Sequence, residues 1–262
     1  YHVQADLEVN HDDITVVKLQ IGDKLLNEMS KVMNTNSVIG ICSKKNSQNQ
    51  YEKFTKIFGK KNITVKLFDV DVIENEKEQK TQILTKIPLT LTGKSTDDKI
   101  NDLTKNLEND EAILVTNIEE LSYLYNMRNF NKENSCSIEG KAVVSKSETV
   151  LFKDKTLKDF EKYIKDNTKI KTFFVDKNSV TAHDFSILGN KAKELKLSPL
   201  RFTKCVKTDA ELEHYKDAFK RTDKALLETR KFIEENDNIS ELDIKNELEN
   251  NFRKFGAVGQ SF

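Results

Sequence analysis

The 262-residue chain carries no net charge to speak of: 43 lysines and arginines face 43 aspartates and glutamates. Such a balance offers no field to gather a polyanion or an anionic membrane surface, so the sequence predicts neither nucleic-acid nor membrane binding. Long apolar runs are also missing. None approaches the roughly 20 residues needed to cross a bilayer, and residues 1–20 are broken by acids, with no apolar h-region of a signal peptide. Cysteines are few, and Cys42, Cys136 and Cys205 lie far apart. That suits a reducing compartment, argues against a disulfide framework and points to a cytoplasmic protein. The first residue is Tyr1 and not Met, so the natural start is expected either to have been removed or to lie upstream.

Chemistry-bearing motifs are scarce too. The four histidines, His2, His11, His183 and His214, are all too widely spaced for a paired ligand set, and no Cys-x-x-Cys assists them. His214 reads as an exposed or partly packed helix residue and His183 as part of a helix start. The string LTLTGKST ends like a phosphate-binding loop at Gly93-Lys94-Ser95. Pro88, however, stands where the loop needs its first glycine. Gly256-x-x-Gly259 follows a helix instead of opening one, which excludes a dinucleotide fingerprint. There is no Gly-x-Ser-x-Gly elbow, and the acidic pair Asp97-Asp98 fits a helix start favoured by the helix dipole. From the residues alone, no active site is visible.

What is present is alternation. Strand-like runs at residues 13–19, 38–42, 63–69, 111–116, 141–146, 149–154 and 171–176 alternate with helical patterns, which predicts an α/β fold. AVVSK and ETVLF, with Ser147 between them, read as a hairpin, so at least one sheet should be mixed. Helix starts are announced by capping boxes at Thr116/Glu119 and Thr208/Glu211, by Ser240 with an Ile239/Ile244 staple, and by Thr156 with Asp159. The long helix after Thr208 should carry a stripe of Leu212, Tyr215, Phe219, Leu226 and Ile233. A polar stretch at 74–81 before Ile87-Pro88 reads as a linker. A second change, from α/β to helical, falls between Ser198 and Thr208. Three pieces result: 1–84, 85–207 and 208–262.

Read in order, several strings resemble one family. YHVQADLE at residues 1–8 is similar to the segment closing the first domain of aminopeptidase P (Xaa-Pro aminopeptidase). LVTNIEELSYLYNMRNF resembles a family helix, with Thr116, Glu120, Leu124, Asn126 and Arg128 in matching places. AVVSKSETVLFKD resembles its strand pair through Leu151, Phe152 and Asp154. SPLRFTKCVKTDAELEHYKDAFKRTDKALLE is similar to the entry into its catalytic domain. SELDIKNELENNFRKFGAVGQSF matches through Glu241, Leu248, Phe252, Arg253, Gly259, Ser261 and Phe262. Tyr123 replaces the usual Trp and Asn129 the usual Gly. Thr222 stands where the family has a helix histidine, so His214 inherits no role.

The resemblance implies a creatinase-type arrangement. Residues 1–84 would be the C-terminal part of a first α/β domain, 85–207 a second, and 208–262 the incomplete opening of a pita-bread catalytic domain. It implies a homodimeric metallo-aminopeptidase that acts on peptides with penultimate proline. Two Mn²⁺ ions, held by two Asp, one His and two Glu, would activate water. In the family all of those residues lie beyond the Gly-x-Ser-Phe string at which this chain stops. The expectation is therefore no catalytic and no metal-binding residue here, substrate-binding residues unassigned, and no activity of this segment alone. Its role would be access control and dimerisation. Prolidase and creatinase are related but carry one N-terminal domain, whereas residues 1–69 ahead of a complete unit imply two. A different class shares the architecture: the metal-free, peptidase-like domain of a histone chaperone, which binds proteins without cutting them.

Overall fold

A computed structural model describes residues 2–10, 12–70, 81–132 and 134–258. Two compact units divide it. The first comprises Tyr1–Val72 with Thr181–His183, and the second Ile73–Val180 with Asp184–Phe262.

The first unit holds α1 (His2–Glu8), α2 (Leu25–Val32), β1 (Val38–Cys42), α3 (Gln48–Phe58) and β2 (Thr64–Phe68). Strands β1 and β2 pair in parallel across the α3 crossover. Ser47 and Gln50 start α3 with a reciprocal capping box, and Asn62, in the left-handed region at φ 56°, turns the chain back towards β2. Phe58, Ile63 and Val65 form the small core, against which Leu26, Met29 and Phe54 pack.

The stretch 13–19, expected as a strand, forms no strand and joins no ladder among the described residues. Ile14 and Val17 are more than half exposed. Alternation and β-branching make a strand only where a partner edge and a buried face exist, and here neither meets the segment. The proposed linker at 74–81 lies, except for Thr81, outside the described residues.

The second unit is organised by a five-stranded sheet. Its strands are β4 (Glu111–Val115), β6 (Lys141–Ser145), β7 (Thr149–Phe152), β8 (Thr172–Val175) and β9 (Ala192–Glu194), in the order β7-β6-β4-β8-β9. Strands β4, β8 and β9 run parallel, whereas β6 and β7 form the expected antiparallel hairpin, of which β6 pairs antiparallel to β4. The sheet is therefore mixed. A smaller ladder joins β3 (Thr85–Lys86) to β5 (Met127–Arg128).

Side-chain alternation divides the central strands between two cores. Ile113, Val115, Ala142 and Val144 face α5 (Thr96–Thr104) and α6 (Ile118–Tyr125), where Leu103, Leu121 and Leu124 are buried. Ala112, Leu114, Val143, Phe173 and Val175 face Phe160 and Ile164 of α7 (Asp159–Asp166), and Leu188 of α8 (Ala182–Leu188). Because both faces are covered, β4 reads as an unbroken apolar run.

Two helix starts differ from expectation. Asn117, not Thr116, caps α6, its amide oxygen accepting from the Glu119 and Glu120 N–H groups, while the Thr116 hydroxyl bonds Ser179. Either residue can cap, and the tertiary partner at Ser179 decides between them. Thr156 exchanges hydrogen bonds with the Lys153 backbone in a short 3₁₀ turn before α7 and does not cap α7 itself.

After α9 (Pro199–Cys205), α10 (Asp209–Glu235) and α11 (Glu241–Lys254) form a helical hairpin. Thr208/Glu211 makes the expected capping box, and Ser240 caps α11 with Asp243 completing the box. Ala225 and Thr229 are buried against α11, where the Asn251 amide donates to the Thr229 hydroxyl at 3.2 Å. The predicted stripe of α10 points elsewhere: Leu212, Tyr215, Phe219, Leu226 and Ile233 are 42–66% exposed.

Candidate functional site

The string LVTNIEELSYLYNMRNF folds into β4, α6 and β5, and its polar members converge on the end of α6. Asn126 ends the helix in the left-handed region, φ 51° and ψ 43°, a conformation asparagine tolerates better than most residues. Its amide donates to the Lys94 carbonyl at 2.9 Å, and its own carbonyl accepts from the Ile87 N–H at 2.7 Å. The Arg128 guanidinium turns back to donate to the Ser122 and Met127 carbonyls at 2.8 and 2.9 Å. A cation at this position complements the negative end of the helix.

Earlier in α6, the Ser122 hydroxyl donates to the Ile118 carbonyl and accepts the Ile138 N–H. The buried Glu120 carboxylate accepts from the Ser198 hydroxyl at 2.6 Å, which ties α6 to the start of α9. Burial raises the Glu120 pKa above the ordinary glutamate value, and the Ser198 hydrogen bond offsets part of that shift.

Sequence reading missed one member, Lys99 of α5. It is 2% exposed, and its ammonium donates to the Tyr123 carbonyl at 2.8 Å and to Asn126 Oδ1 at 2.5 Å. The same nitrogen lies 3.8 Å from the centroid of the Tyr123 ring. Only the weak apolar periodicity of TDDKINDLT hints at its face. Beside this network a cleft of about 420 Å³ is lined by Lys86, Leu89, Ser95, Tyr125 and Met127 among others. The Tyr125 hydroxyl is buried without a hydrogen-bond partner, and burial pushes its pKa up to about 12.

Chemically this arrangement is a clamp. Its cations are engaged with carbonyls and with an amide oxygen. The false phosphate loop has a structural role as well. Pro88 precedes α4 (Leu89–Thr92), Gly93 ends that helix at φ +65°, and Ser95 caps α5.

In the first unit, Ser43, Asp69 and His183 come together. The Ser43 hydroxyl and the His183 Nδ1 both address the same Asp69 oxygen, the imidazole at 3.3 Å. The Ser43 hydrogen bond, helped by His183, holds the Asp69 carboxyl below the usual range. Asp69 therefore stands between the other two. A hydrolytic triad needs the imidazole in the middle, so this geometry does not activate the serine.

His214 is exposed on α10, while His11 and the His2 side chain lie outside the described residues. Gly256 ends α11 at φ +93°, and Glu241, Leu248, Phe252 and Arg253 lie within that helix. Gly259, Ser261 and Phe262 lie outside the described residues. All three cysteines are free, and Cys136 and Cys205 are exposed. Among the described residues no group of three or more His, Cys, Asp or Glu could hold a metal ion. The described donors therefore do not fit the two ions that the resemblance implies. No described helix is long and apolar enough to cross a membrane.

Fold and site together define a helix-clad, mixed-sheet α/β domain in which the Lys99, Asn126 and Arg128 cluster holds backbone carbonyls around the end of α6. Residues 75–211, just over half of the chain, match the creatinase/prolidase N-terminal domain family, and the chain belongs to that family. The fold is similar to that of the X-prolyl aminopeptidase from Caenorhabditis elegans, a cytosolic enzyme with a di-nuclear active site. The TM-score is 0.79 at 15% identity over 92% of this chain, which spans 45% of the nematode chain. The X-Pro aminopeptidase from Thermotoga maritima aligns at TM-score 0.44 and 22% identity, covering 62% of this chain and 50% of that one. No curated protein matches by sequence.

Proposed function

We propose that this chain is the N-terminal portion of a manganese-dependent Xaa-Pro aminopeptidase, contributing access control and dimerisation and no catalytic group. In this reading the parent protein is cytoplasmic and homodimeric and removes the residue before a penultimate proline. The membership of residues 75–211 in a family of creatinase and prolidase N-terminal domains carries the proposal. The test compares two proteins on a peptide with proline second, with Mn²⁺ added: residues 1–262 alone, and the polypeptide encoded by the whole reading frame. Cleavage is expected only from the second, whose sequence past Phe262 should supply two Asp, one His and two Glu. Cleavage by residues 1–262 would overturn the non-catalytic role. Absence of the five ligands from the whole polypeptide would favour a peptidase-like, protein-binding role instead. Access control predicts that removing residues 1–200 from the active protein changes its preference for peptide length and its oligomeric state, read by sedimentation.

In the same reading, 1–84, 85–207 and 208–262 are the end of one α/β domain, a second, and the opening of the catalytic domain. The open stripe on α10 supports the last assignment. A row of five apolar side chains, 42–66% exposed on one helix, is of the kind that a further layer of protein covers. Replacing Phe219 and Leu226 by Glu is expected to change the stability of residues 1–262 by less than about 0.5 kcal/mol per site. The same change should abolish binding of a hydrophobic dye to that surface. A large loss of stability would show that the stripe is already packed within this segment.

A further inference from the structure

Lys99 is a buried cation with no anion beside it. Its three N–H bonds are addressed by the Tyr123 carbonyl, the Asn126 amide oxygen and the face of the Tyr123 ring, all of them neutral groups. The charged groups that face it come from other elements. Glu211 lies at the start of α10, Arg128 in β5 and Lys94 ahead of α5. Asp102, further along α5, acts on the neighbouring Tyr123 ring. None of these four ion-pairs with Lys99: the Glu211 carboxylate accepts from the Thr208 N–H, Asp102 is taken by Lys94, and the two basic groups oppose a third positive charge.

We propose that Lys99 is a proton-linked joint between α5 and the end of α6, and that the second unit becomes more stable when the buried amine gives up its proton. A neutral amine keeps two N–H donors, enough for both oxygen acceptors, and sheds the charge that burial penalises. The joint lies at the root of the loop after β5. Lys99 holds Asn126, Asn126 leads into Met127–Arg128, and the Asn129 N–H closes the loop on the Cys136 carbonyl.

The electrostatics agree with the geometry, burial lowering the Lys99 pKa to about 8. In the unfolded chain the amine has its ordinary value near 10.4. Between those values the unfolded state binds the proton and the folded state does not, so stability rises with pH across that window. Below about pH 8 the cost of the buried charge is fully present.

Two measurements on residues 1–262 test the joint. Lysine labelled with ¹³C at Cε is titrated by NMR, with the Lys99 signal assigned through Lys99→Arg. Urea unfolding of the parent and Lys99→Met is followed from pH 7 to 10. The expected results are a Lys99 midpoint near 8, well apart from the surface lysines, and a folding constant that rises relative to Lys99→Met. Above pH 8 that rise should approach tenfold per pH unit. A Lys99 midpoint among the surface lysines, or parallel stability curves for the two proteins, would overturn the proposal. If Lys99→Met does not fold, the NMR midpoint decides alone.

Discussion

Replacing Lys141 by methionine is expected to cost the second unit about 3–5 kcal/mol, measured by urea unfolding at pH 7. Lys141 opens β6, and its ammonium reaches Asp184 Oδ1 of α8 at 2.5 Å, with Asp184 only 1% exposed. The same nitrogen lies 4.8 Å from the centre of the Phe160 ring. Methionine preserves the stem but strips a buried carboxylate of its cation, and that loss is far larger than the worth of a surface ion pair. The companion change Asp184→Asn should recover a substantial part of the loss in the double variant, because the buried group that Lys141 faced is then neutral. A single-variant cost below about 1 kcal/mol would mean that Asp184 does not depend on Lys141.

The second large effect is expected at Gly93. A Cβ added there would lie 2.5 Å from the Thr208 hydroxyl oxygen and 2.8 Å from Thr208 Cβ, at a residue whose φ is +65°. Two costs combine in Gly93→Ala. A left-handed non-glycine residue costs roughly 1–2 kcal/mol. The contact also forces the start of α10 away from the end of α4, where the Thr208 hydroxyl donates to the Thr92 carbonyl. We expect a total of about 2–4 kcal/mol by thermal or urea unfolding, at the upper end of ordinary single substitutions. Thr208→Gly relieves the contact but also removes the α10 cap. The cost of Gly93→Ala measured in the Thr208→Gly background therefore reports the backbone strain, and its difference from the cost in the parent reports the contact. Full tolerance of Gly93→Ala would show that the joint between α4 and α10 is loose.

The two effects differ in how far the sequence announces them. Gly93 is visible as a glycine beside a proline-led turn, and the missing first glycine already argues against a phosphate loop. That α10 comes down on it is a tertiary fact. Nothing near Lys141 in the sequence marks Asp184, which lies 43 residues away, as its partner.

Much of the architecture could be read from local pattern because local energetics dominate it. Six of the seven expected strands form within two residues of their expected ends. The hairpin around Ser147 makes the sheet mixed, and Thr208 and Ser240 start their helices as their side chains dictate. Strand periodicity and caps are satisfied within a few residues, so they survive in the sequence.

Tertiary structure decided the rest. Residues 13–19 alternate like a strand but meet no partner edge. Thr116 is equipped to cap α6, yet Ser179 claims its hydroxyl and Asn117 takes its place. The stripe of α10 has the periodicity of a core helix but stays open in this segment, since periodicity says which residues share a face and not what covers it. Lys99 shows the same limit from the other side. Its residue type and its neighbours Asp97 and Asp98 suggest solvent, and only the packing of α5 against α6 removes it from water. Burial belongs to what lies opposite a residue, and that is set by segments far away in the chain.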